Sequence, residues 1–392
     1  MRILMLTDFW PTRLNPITGV FVQEQVSEYE NLGHELTVVA PISMLRKDSR
    51  PYRLTHAGAT VFSPRVLIPA GLSLLPGPLR TYAYILFVRA TARAIRRVLT
   101  RHIDIDSVDA VHANGLSFVG SAITYLPELH VKRCVITVHG EDPMLLPLAR
   151  RRRFCNLISR LCDAVTCVVV CGTPLLRYAN QMGIPNTQIR LIANGTFLPD
   201  APVKAREADH TITIITIANL AEHKNVAASL IAFSSLDQST HLRYTIVGDG
   251  PQREVLERLA DDRGVSDKVT FVGRVYHGET MSLLSQATIF CLPSLRDACP
   301  ISFIEAMARG KPVIGAFGTG AEDFIQNEVN GFLVNPRDIA AITAVLQRLV
   351  TDSALRGQIG ERALRTARQY TWTNNVEQYL RILRRQDSVA GE

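Results

Sequence analysis

Apolar runs of strand length recur through this chain in two sets, and they are continuous rather than alternating. RILMLT (2–7), ELTVVAP (35–41), DAVHA (109–113), CVITVHG (134–140), AVTCVVVCG (164–172) and IRLIANG (189–195) form the first set. TITIITIANL (211–220), LRYTIVGDG (242–250), KVTFVG (268–273), ATIFCLPS (287–294), PVIGAF (312–317) and GFLV (331–334) form the second. A strand with no polar face is buried on both sides, which calls for parallel sheets covered by helices. The polar stretch TFLPDAPVKAREADH (196–210) separates the sets, so the pattern predicts an α/β chain of two doubly wound domains. Ligands of such sheets bind beyond the carboxyl ends of the strands, and with two sheets the expected place is a cleft between them.

A length of 392 residues suits two ordinary domains, and 47% hydrophobic with 20% charged residues describes a soluble globular chain. The richest apolar stretch, VLIPAGLSLLPGPL (66–79), is broken by Pro69, Pro76 and Pro78, which argues against a membrane span. The N-terminal apolar run is short and interrupted by Asp8, so it reads as a buried first strand rather than a signal peptide. Seven cysteines without metal-type or scaffold spacing read as reduced thiols of a cytoplasmic protein. Charge is uneven. The first 199 residues hold 22 Lys and Arg against 13 Asp and Glu, whereas the remainder holds 21 against 23. No nucleic-acid recognition motif accompanies that basic half, which leaves an anionic membrane surface or a lipid diphosphate as its expected counterpart.

After the first strand a dinucleotide-binding domain needs G-x-G-x-x-G; TDFWPTRLNPITGVF stands there instead. That loop ends at Gly19, ahead of a helix predicted from Val20 to Leu32. A glycine at a helix start is either an ordinary cap or a place where backbone N–H groups approach a phosphate. The segment SLRDACPISFIEAMARGKPVIG (294–315) carries more. It places Asp297 in a loop at a strand end and Glu305 on the following helix. Two readings stand for Glu305: the second half of a capping box with Ser302, or a carboxylate for two ribose hydroxyls. Asp297 is separated from the helix by Pro300 and has no cap to make; a loop acid at a strand end is more often functional than structural.

The acid-x7-acid spacing followed by EAMARGKPVIG resembles the signature of the family 4 retaining glycosyltransferases, whose fold is GT-B: two Rossmann-like parallel-sheet domains facing each other across a cleft. FWPTRLNPITGVFVQEQVSEYENLGHELTVVAP, VHANG, ITVHGED, IRLIANG, IVGDGP and NEVNGFLVNP extend the resemblance along the chain. It implies an acceptor-side domain over 1–200, a nucleotide-sugar domain over 201–370, and a C-terminal helix within 371–392 packing back on the first. The chain departs from the family's pattern where Asp297 replaces a Glu, ACP replaces G-F-G, and Asn219 replaces an Arg.

The resemblance implies that Lys224 meets the donor's diphosphate, helped by Gly19, Asn219 and the helix beginning near Ser302. Glu305 matches the ribose-binding acid, Asp297 the acid that meets the transferred sugar, and His139 the histidine beside the reacting carbon. The backbone of Cys299, Pro300, Ile301 and Ser302 would line sugar and phosphates, and Arg274 and Val275 would flank the base. His112 is as well explained by structure, Asn194–Gly195 by a tight turn, and Asp104 and Asp106 by solvated acids before a strand. No metal and no cofactor are expected. The implied reaction takes a UDP- or GDP-sugar and transfers the sugar with retention to a glycan, lipid-linked or polysaccharide acceptor. The leaving diphosphate would deprotonate the acceptor hydroxyl on the same face. The alternatives are a GT-B epimerase or phosphorylase, and a degenerate nucleotide-sugar-binding module. Arg89, Arg93, Arg96, Arg97 and Arg101 on a helix over 79–102, with ARRRRF (149–154), predict peripheral attachment to the inner face of an anionic membrane.

Overall fold

The computed structural model describes residues 1–11, 18–45, 58–67, 72–199, 211–237 and 241–384. Parts of the loop after the first strand (12–17), of the separating stretch (200–210) and of the C-terminal tail (385–392) lie outside the described residues. The chain divides into two compact units, Met1–Ala193 with Trp372–Glu392, and Asn194–Thr371.

In unit 1 the strands are β1 (Arg2–Thr7), β2 (Glu35–Val39), β3 (Ile42–Ser43), β4 (Thr60–Phe62), β5 (Arg65–Val66), β6 (Ala110–Asn114), β7 (Arg133–Val138), β8 (Cys167–Val170) and β9 (Ile189–Leu191). Seven of them form one sheet in the order β4-β2-β1-β6-β7-β8-β9, and every pairing is parallel. Its central strands are buried at nearly every position, as unbroken apolar runs require. Helices α1 (Val20–Asn31), α2 (Gly77–His102), α3 (Pro127–His130), α4 (Arg152–Ala164) and α5 (Pro174–Gln181) belong to this unit. The C-terminal helix Trp372–Leu383 packs on α1 and the sheet, with Val376, Tyr379, Leu380 and Leu383 in the same core as Ile3, Val22, Val26 and Tyr29. Buried polar bonds pin it. Gln25 Nε2 donates to Asn375 Oδ1 at 2.7 Å, and Tyr379 shares a 2.8 Å hydroxyl contact with Thr137.

Unit 2 holds β10 (Ile212–Ile217), β11 (Leu242–Val247), β12 (Val269–Gly273), β13 (Ile289–Cys291), β14 (Val313–Ala316) and β15 (Phe332–Val334). They form a parallel sheet ordered β12-β11-β10-β13-β14-β15. Helices α6 (Val226–Ser234), α7 (Arg253–Asp262), α8 (His277–Gln286), α9 (Ile301–Met307), α10 (Ile339–Thr351) and α11 (Ser353–Ala367) accompany it.

Both sheets reverse direction at one place, between β1 and β6 in unit 1 and between β10 and β13 in unit 2. At such a switch point the loops leaving adjacent strands diverge to opposite faces and open a crevice at the strands' carboxyl ends. All seven cysteines are free thiols. Among the described residues no helix is long and apolar enough to cross a membrane.

Candidate functional site

In unit 2 the switch-point loops are those after β10, residues 218–225, and after β13, residues 292–300. They are tied together by backbone and side chain. Leu295 N donates to the His223 carbonyl at 2.8 Å. Asn225 Nδ2 donates to the carbonyls of Pro293 at 2.9 Å and Pro336 at 2.7 Å. Asn225 caps α6 at φ 55°, a left-handed position that Asn tolerates better than most residues. Gly320 N donates to the Asp297 carbonyl at 2.8 Å, which fixes the acid loop from the other side.

Lys224 and Asp297 meet there. Nζ lies 2.5 Å from Oδ2, with the two side chains only 18% and 11% exposed. The lysine is thus neither a solvated loop residue nor an unpaired cation; it shares its charge with the acid predicted to meet the sugar. Glu305 lies nearby in sequence on α9 and is buried at 7% exposure. The capping-box reading is corrected by the structure. The cap of α9 is Pro300, no side chain caps the helix, and Ser302 falls inside the first turn. The Glu305 carboxylate is turned toward α8 instead, where His277 Nε2 lies 3.6 Å from Oε1.

The other predicted donor residues spread along the same strand ends. Cys299 is half-buried and receives a 3.7 Å contact from Asn194 Nδ2. Pro300 is buried, and Ile301 and Ser302 are half-buried. Asn219 is exposed on the loop after β10. Leu220 N donates to the Asp249 carbonyl at 3.1 Å, and Gly248 N to that of Gly273 at 2.8 Å, so the loops after β10, β11 and β12 are locked side by side. Gly248 has φ 125°, and a Cβ there would fall 1.8 Å from the Ala218 oxygen, so no other residue fits. The turn VGDGP therefore has a packing reason. Arg274 is exposed with its Nε 3.9 Å from Asp249, and Val275 is half-buried beside it.

In unit 1 the switch-point loops frame a cavity of about 750 Å³. His139, at the end of β7, lines it. Its ring packs on Phe21 at 4.6 Å and edge-on to Phe9 at 5.8 Å. Nε2 contacts Asn114 Oδ1 at 2.7 Å, whereas Nδ1 is shielded and has no partner among the described residues. Burial pushes the imidazole down to about 3, so it is neutral near pH 7. With Asn114 accepting, the proton is on Nε2 and Nδ1 keeps a lone pair. Gly19 precedes α1 at φ 79°, and a Cβ would come within 2.7 Å of the Phe9 carbonyl group. Its own carbonyl accepts from Val22 and Gln23. Chain geometry alone thus requires glycine there. His112 is wholly structural: fully buried, bonded to Thr137 at 2.8 Å and stacked on Tyr379 at 4.4 Å. Asp104 and Asp106 are exposed, and Asp104 caps a short turn by accepting from Asp106 N.

Two acids of this cavity were not singled out in the sequence: Asp8 lies just past β1, and Asp142 closes the ITVHGED segment after β7. Asp8 Oδ2 accepts from Phe118 N at 3.2 Å, and both its oxygens from Val119 N. Burial, with Asp142 adding to it, pushes Asp8 up to about 7. Gly115 has φ 115°, and a Cβ there would fall 2.7 Å from Asp8 Oδ2. Asp142 accepts from Ser117 Oγ and from Met144 N at 2.8 Å.

Comparison with known proteins fixes the family. Residues 18–197 match the model of Glycosyltransferase Family 4, and residues 199–366 that of Glycosyl transferases group 1. The chain belongs to family 4 of the glycosyltransferases. It is a glycosyltransferase of a retaining family, with the GT-B fold. A GDP-mannose-dependent alpha-(1-6)-phosphatidylinositol monomannoside mannosyltransferase of Mycobacterium tuberculosis is 26% identical over 90% of this chain and 89% of its own. An amylovoran biosynthesis glycosyltransferase of Erwinia amylovora is 32% identical, but that match spans only 43% of each chain. The Anabaena protein HepE, solved in complex with UDP-glucose, superposes with a TM-score of 0.67 at 15% identity, covering 98% of this chain and 99% of its own.

Proposed function

We propose that this glycosyltransferase takes a nucleotide-diphosphate sugar on unit 2 and transfers the sugar, with retention, to a hydroxyl of a glycan or lipid-linked acceptor. The observation that carries the donor assignment is the pairing of Lys224 with Asp297 at the switch point of the second sheet, with the buried Glu305 on the helix that follows the same loop. A diphosphate entering there displaces Asp297 from the ammonium, and the freed carboxylate is then placed for sugar hydroxyls. Glu305 takes the ribose. As the glycosidic bond breaks, charge grows on the diphosphate, and a fixed cation stabilises that state more than the bound substrate. Retention follows if the departing phosphate oxygen takes the acceptor's proton on the same face. A GDP-sugar is named for one relative and UDP-glucose for one solved neighbour, so both bases need testing. Calorimetry with UDP and GDP, then transfer assays with their sugars with and without acceptor, tests this reading. Binding without transfer favours a degenerate module, and turnover without acceptor favours an epimerase.

The acceptor's surface is part of the proposal. Leu75, Leu79, Tyr82, Leu86, Leu157 and Tyr125 line a groove of about 700 Å³ between α2 and α4, rimmed by Arg89, Arg153 and Arg160. Leu79, Tyr82 and Leu86 are more than half exposed. Arg153 lies over the Tyr82 ring at 4.0 Å, and Arg89 and Arg160 over Tyr125 at 5.2 and 5.5 Å. Arginine above exposed aromatic and leucine side chains suits a headgroup boundary. Arg96 does not belong to this set, since it is held by Glu128 at 2.9 Å and the Tyr125 carbonyl. The lipid-facing residues are therefore these three arginines and the leucines between them. Sedimentation with anionic vesicles should fall with Arg89→Gln and Arg153→Gln at low salt, and with Leu79→Ser and Leu86→Ser at any salt. Equal recovery in the supernatant with anionic and neutral vesicles would leave the groove without this role.

A further inference from the structure

Helix α8 leaves the carboxyl end of β12 and returns the chain to the start of β13. Its first residue, His277, therefore stands at the strand ends where ligands of such sheets bind, and its last turn stands at the opposite edge. At that opposite edge α8 is fastened to the end of α9. Lys311 Nζ donates to the Ser285 carbonyl at 2.7 Å. Arg309 Nε donates to Ser285 Oγ at 3.2 Å, and its Nη1 to the Glu305 carbonyl at 3.0 Å. Phe303, Ile304, Ala306 and Met307 are buried, which holds the backbone of α9. The helix pair thus has its own fastening. At the ligand end, His277 Nε2 lies 3.6 Å from Glu305 Oε1, with the two side chains 33% and 9% exposed. At that distance the ring acts on the carboxylate by charge and dipole rather than by a hydrogen bond. His277 also follows directly on the loop that carries Arg274 and Val275.

We propose that His277 is a positioning residue: it turns the Glu305 carboxylate to meet both ribose hydroxyls of the donor nucleotide, and so makes the site selective for ribonucleotides over 2′-deoxyribonucleotides. The proposal rests on the donor reading above and names the residue that sets its selectivity for ribose. A carboxylate accepts in its own plane, so the hydroxyls it meets depend on how that plane is turned. The backbone of α9 is fixed, but a glutamate side chain still has rotatable bonds to order, and a neighbour that orders them in advance is what makes a site precise. A carboxylate held in one orientation is left with an unmet acceptor when a hydroxyl is missing, which is how polar sites reject the analogue that lacks it. One free to turn follows whichever hydroxyl remains, and it discriminates poorly. His277 sits where such a hold is needed, between the loop after β12 and the acid on α9.

The probes are UDP and GDP set against 2′-deoxy-UDP and 2′-deoxy-GDP, titrated into the full chain by calorimetry. The base that binds should bind as the ribonucleotide about tenfold or more tighter than as the deoxynucleotide, the cost of leaving a charged acceptor unmet. His277→Phe keeps a ring of similar size and removes the nitrogen; it should bring that ratio down to about threefold or less, mostly by weakening the ribonucleotide. His277→Gln places an amide nitrogen within similar reach and should keep most of the ratio. Glu305→Gln is the reference and should lower the ratio at least as far as His277→Phe. Melting curves of each variant are taken on the same samples. A ratio unchanged in His277→Phe but lost in Glu305→Gln would overturn this inference and leave the donor assignment standing. So would an equal loss of affinity for both forms of the nucleotide, which is what a merely structural role predicts, or an equal fall of the ratio in His277→Phe and His277→Gln. No binding of UDP or GDP by the wild type, or a ratio untouched by Glu305→Gln, counts against the donor assignment itself, and this inference falls with it.

Discussion

Replacing Lys224 by Ala does two things at once. It removes a cation that would face a diphosphate, and it strands Asp297, whose side chain is only 11% exposed and whose ion-pair partner is Lys224 Nζ at 2.5 Å. Breaking a buried pair from one side costs about 3–5 kcal/mol. The 18% exposure of the lysine places this pair near the lower end, at about 3 kcal/mol. Unit 2 spans Asn194–Thr371. For a domain of that size each kcal/mol moves Tm by roughly 2–4 °C, so Lys224→Ala should melt roughly 6–12 °C early without ligand. Adding Asp297→Asn removes the stranded charge, and the double variant should recover most of that loss. Turnover should not recover: kcat/KM stays down by roughly 30- to 1000-fold, the loss of one charged partner in the transition state. Asp297→Asn alone separates the roles further. It should tighten UDP or GDP binding, because a competing carboxylate is gone, while lowering transfer. Differential scanning calorimetry of the four proteins, with steady-state kinetics, completes the cycle. Equal melting of Lys224→Ala and the double variant would refute the pair as drawn, and weaker nucleotide binding by Asp297→Asn would refute the competition.

Glu305→Gln should weaken nucleotide binding and lower Tm only by what its approach to His277 contributes; normal affinity would remove it from the ribose site. Transfer should persist in excess chelator, since the proposed site meets the diphosphate with Lys224 and backbone dipoles; a strict need for magnesium or manganese in a rate assay would overturn that. Asp8 is held at about 7 in the fold against 3.8 as its ordinary value, so its contribution is fully present below pH 4 and is lost as pH rises through 7. The ceiling is about 4 kcal/mol. Asp8 is half-buried at a cavity wall, so water screening reduces this to about 2 kcal/mol. Asp8→Asn should therefore gain stability over the wild type between pH 5 and pH 8 in urea titrations, and a gap that stays constant or shrinks would contradict the assignment.

What could be read from the chain without coordinates follows from range. The two parallel sheets were legible because their strands are buried on both faces and so lack any polar alternation; Leu4, Val111 and Ile136 are fully buried. The left-handed turn at Asn225 was in principle legible too, since Asn and Gly are the residues that tolerate it. The capping box was not. S-x-x-E is a local pattern, but Pro300 caps α9 two residues earlier than a Ser302 cap requires, and the buried Glu305 turns to a different helix. The Lys224–Asp297 pair joins residues 73 positions apart, and nothing local in either segment announces it. The same holds for Asp8 and Asp142, which become neighbours only because β6 and β7 follow β1 in the sheet.

Net charge illustrates the difference between composition and site. The first 199 residues carry an excess of nine positive charges, which on its own suggests an anionic ligand in that half. The structure distributes that excess on helix faces: Arg89, Arg93, Arg97 and Arg101 on α2 are exposed, and Arg153 and Arg160 on α4 rim an apolar groove. Among the described residues that line the switch-point cavity of the same unit are the acids Asp8, Glu141 and Asp142 and no lysine or arginine. The nearly neutral second half keeps a lysine beside an acid at its own switch point. A screened surface cation acts over about 10 Å at ordinary salt, whereas a charge in a crevice acts on whatever enters it. Surface arginines therefore bear on where the protein is held. The crevice charges bear on what each sheet accepts, and in the donor reading proposed above the Lys224–Asp297 pair meets the diphosphate.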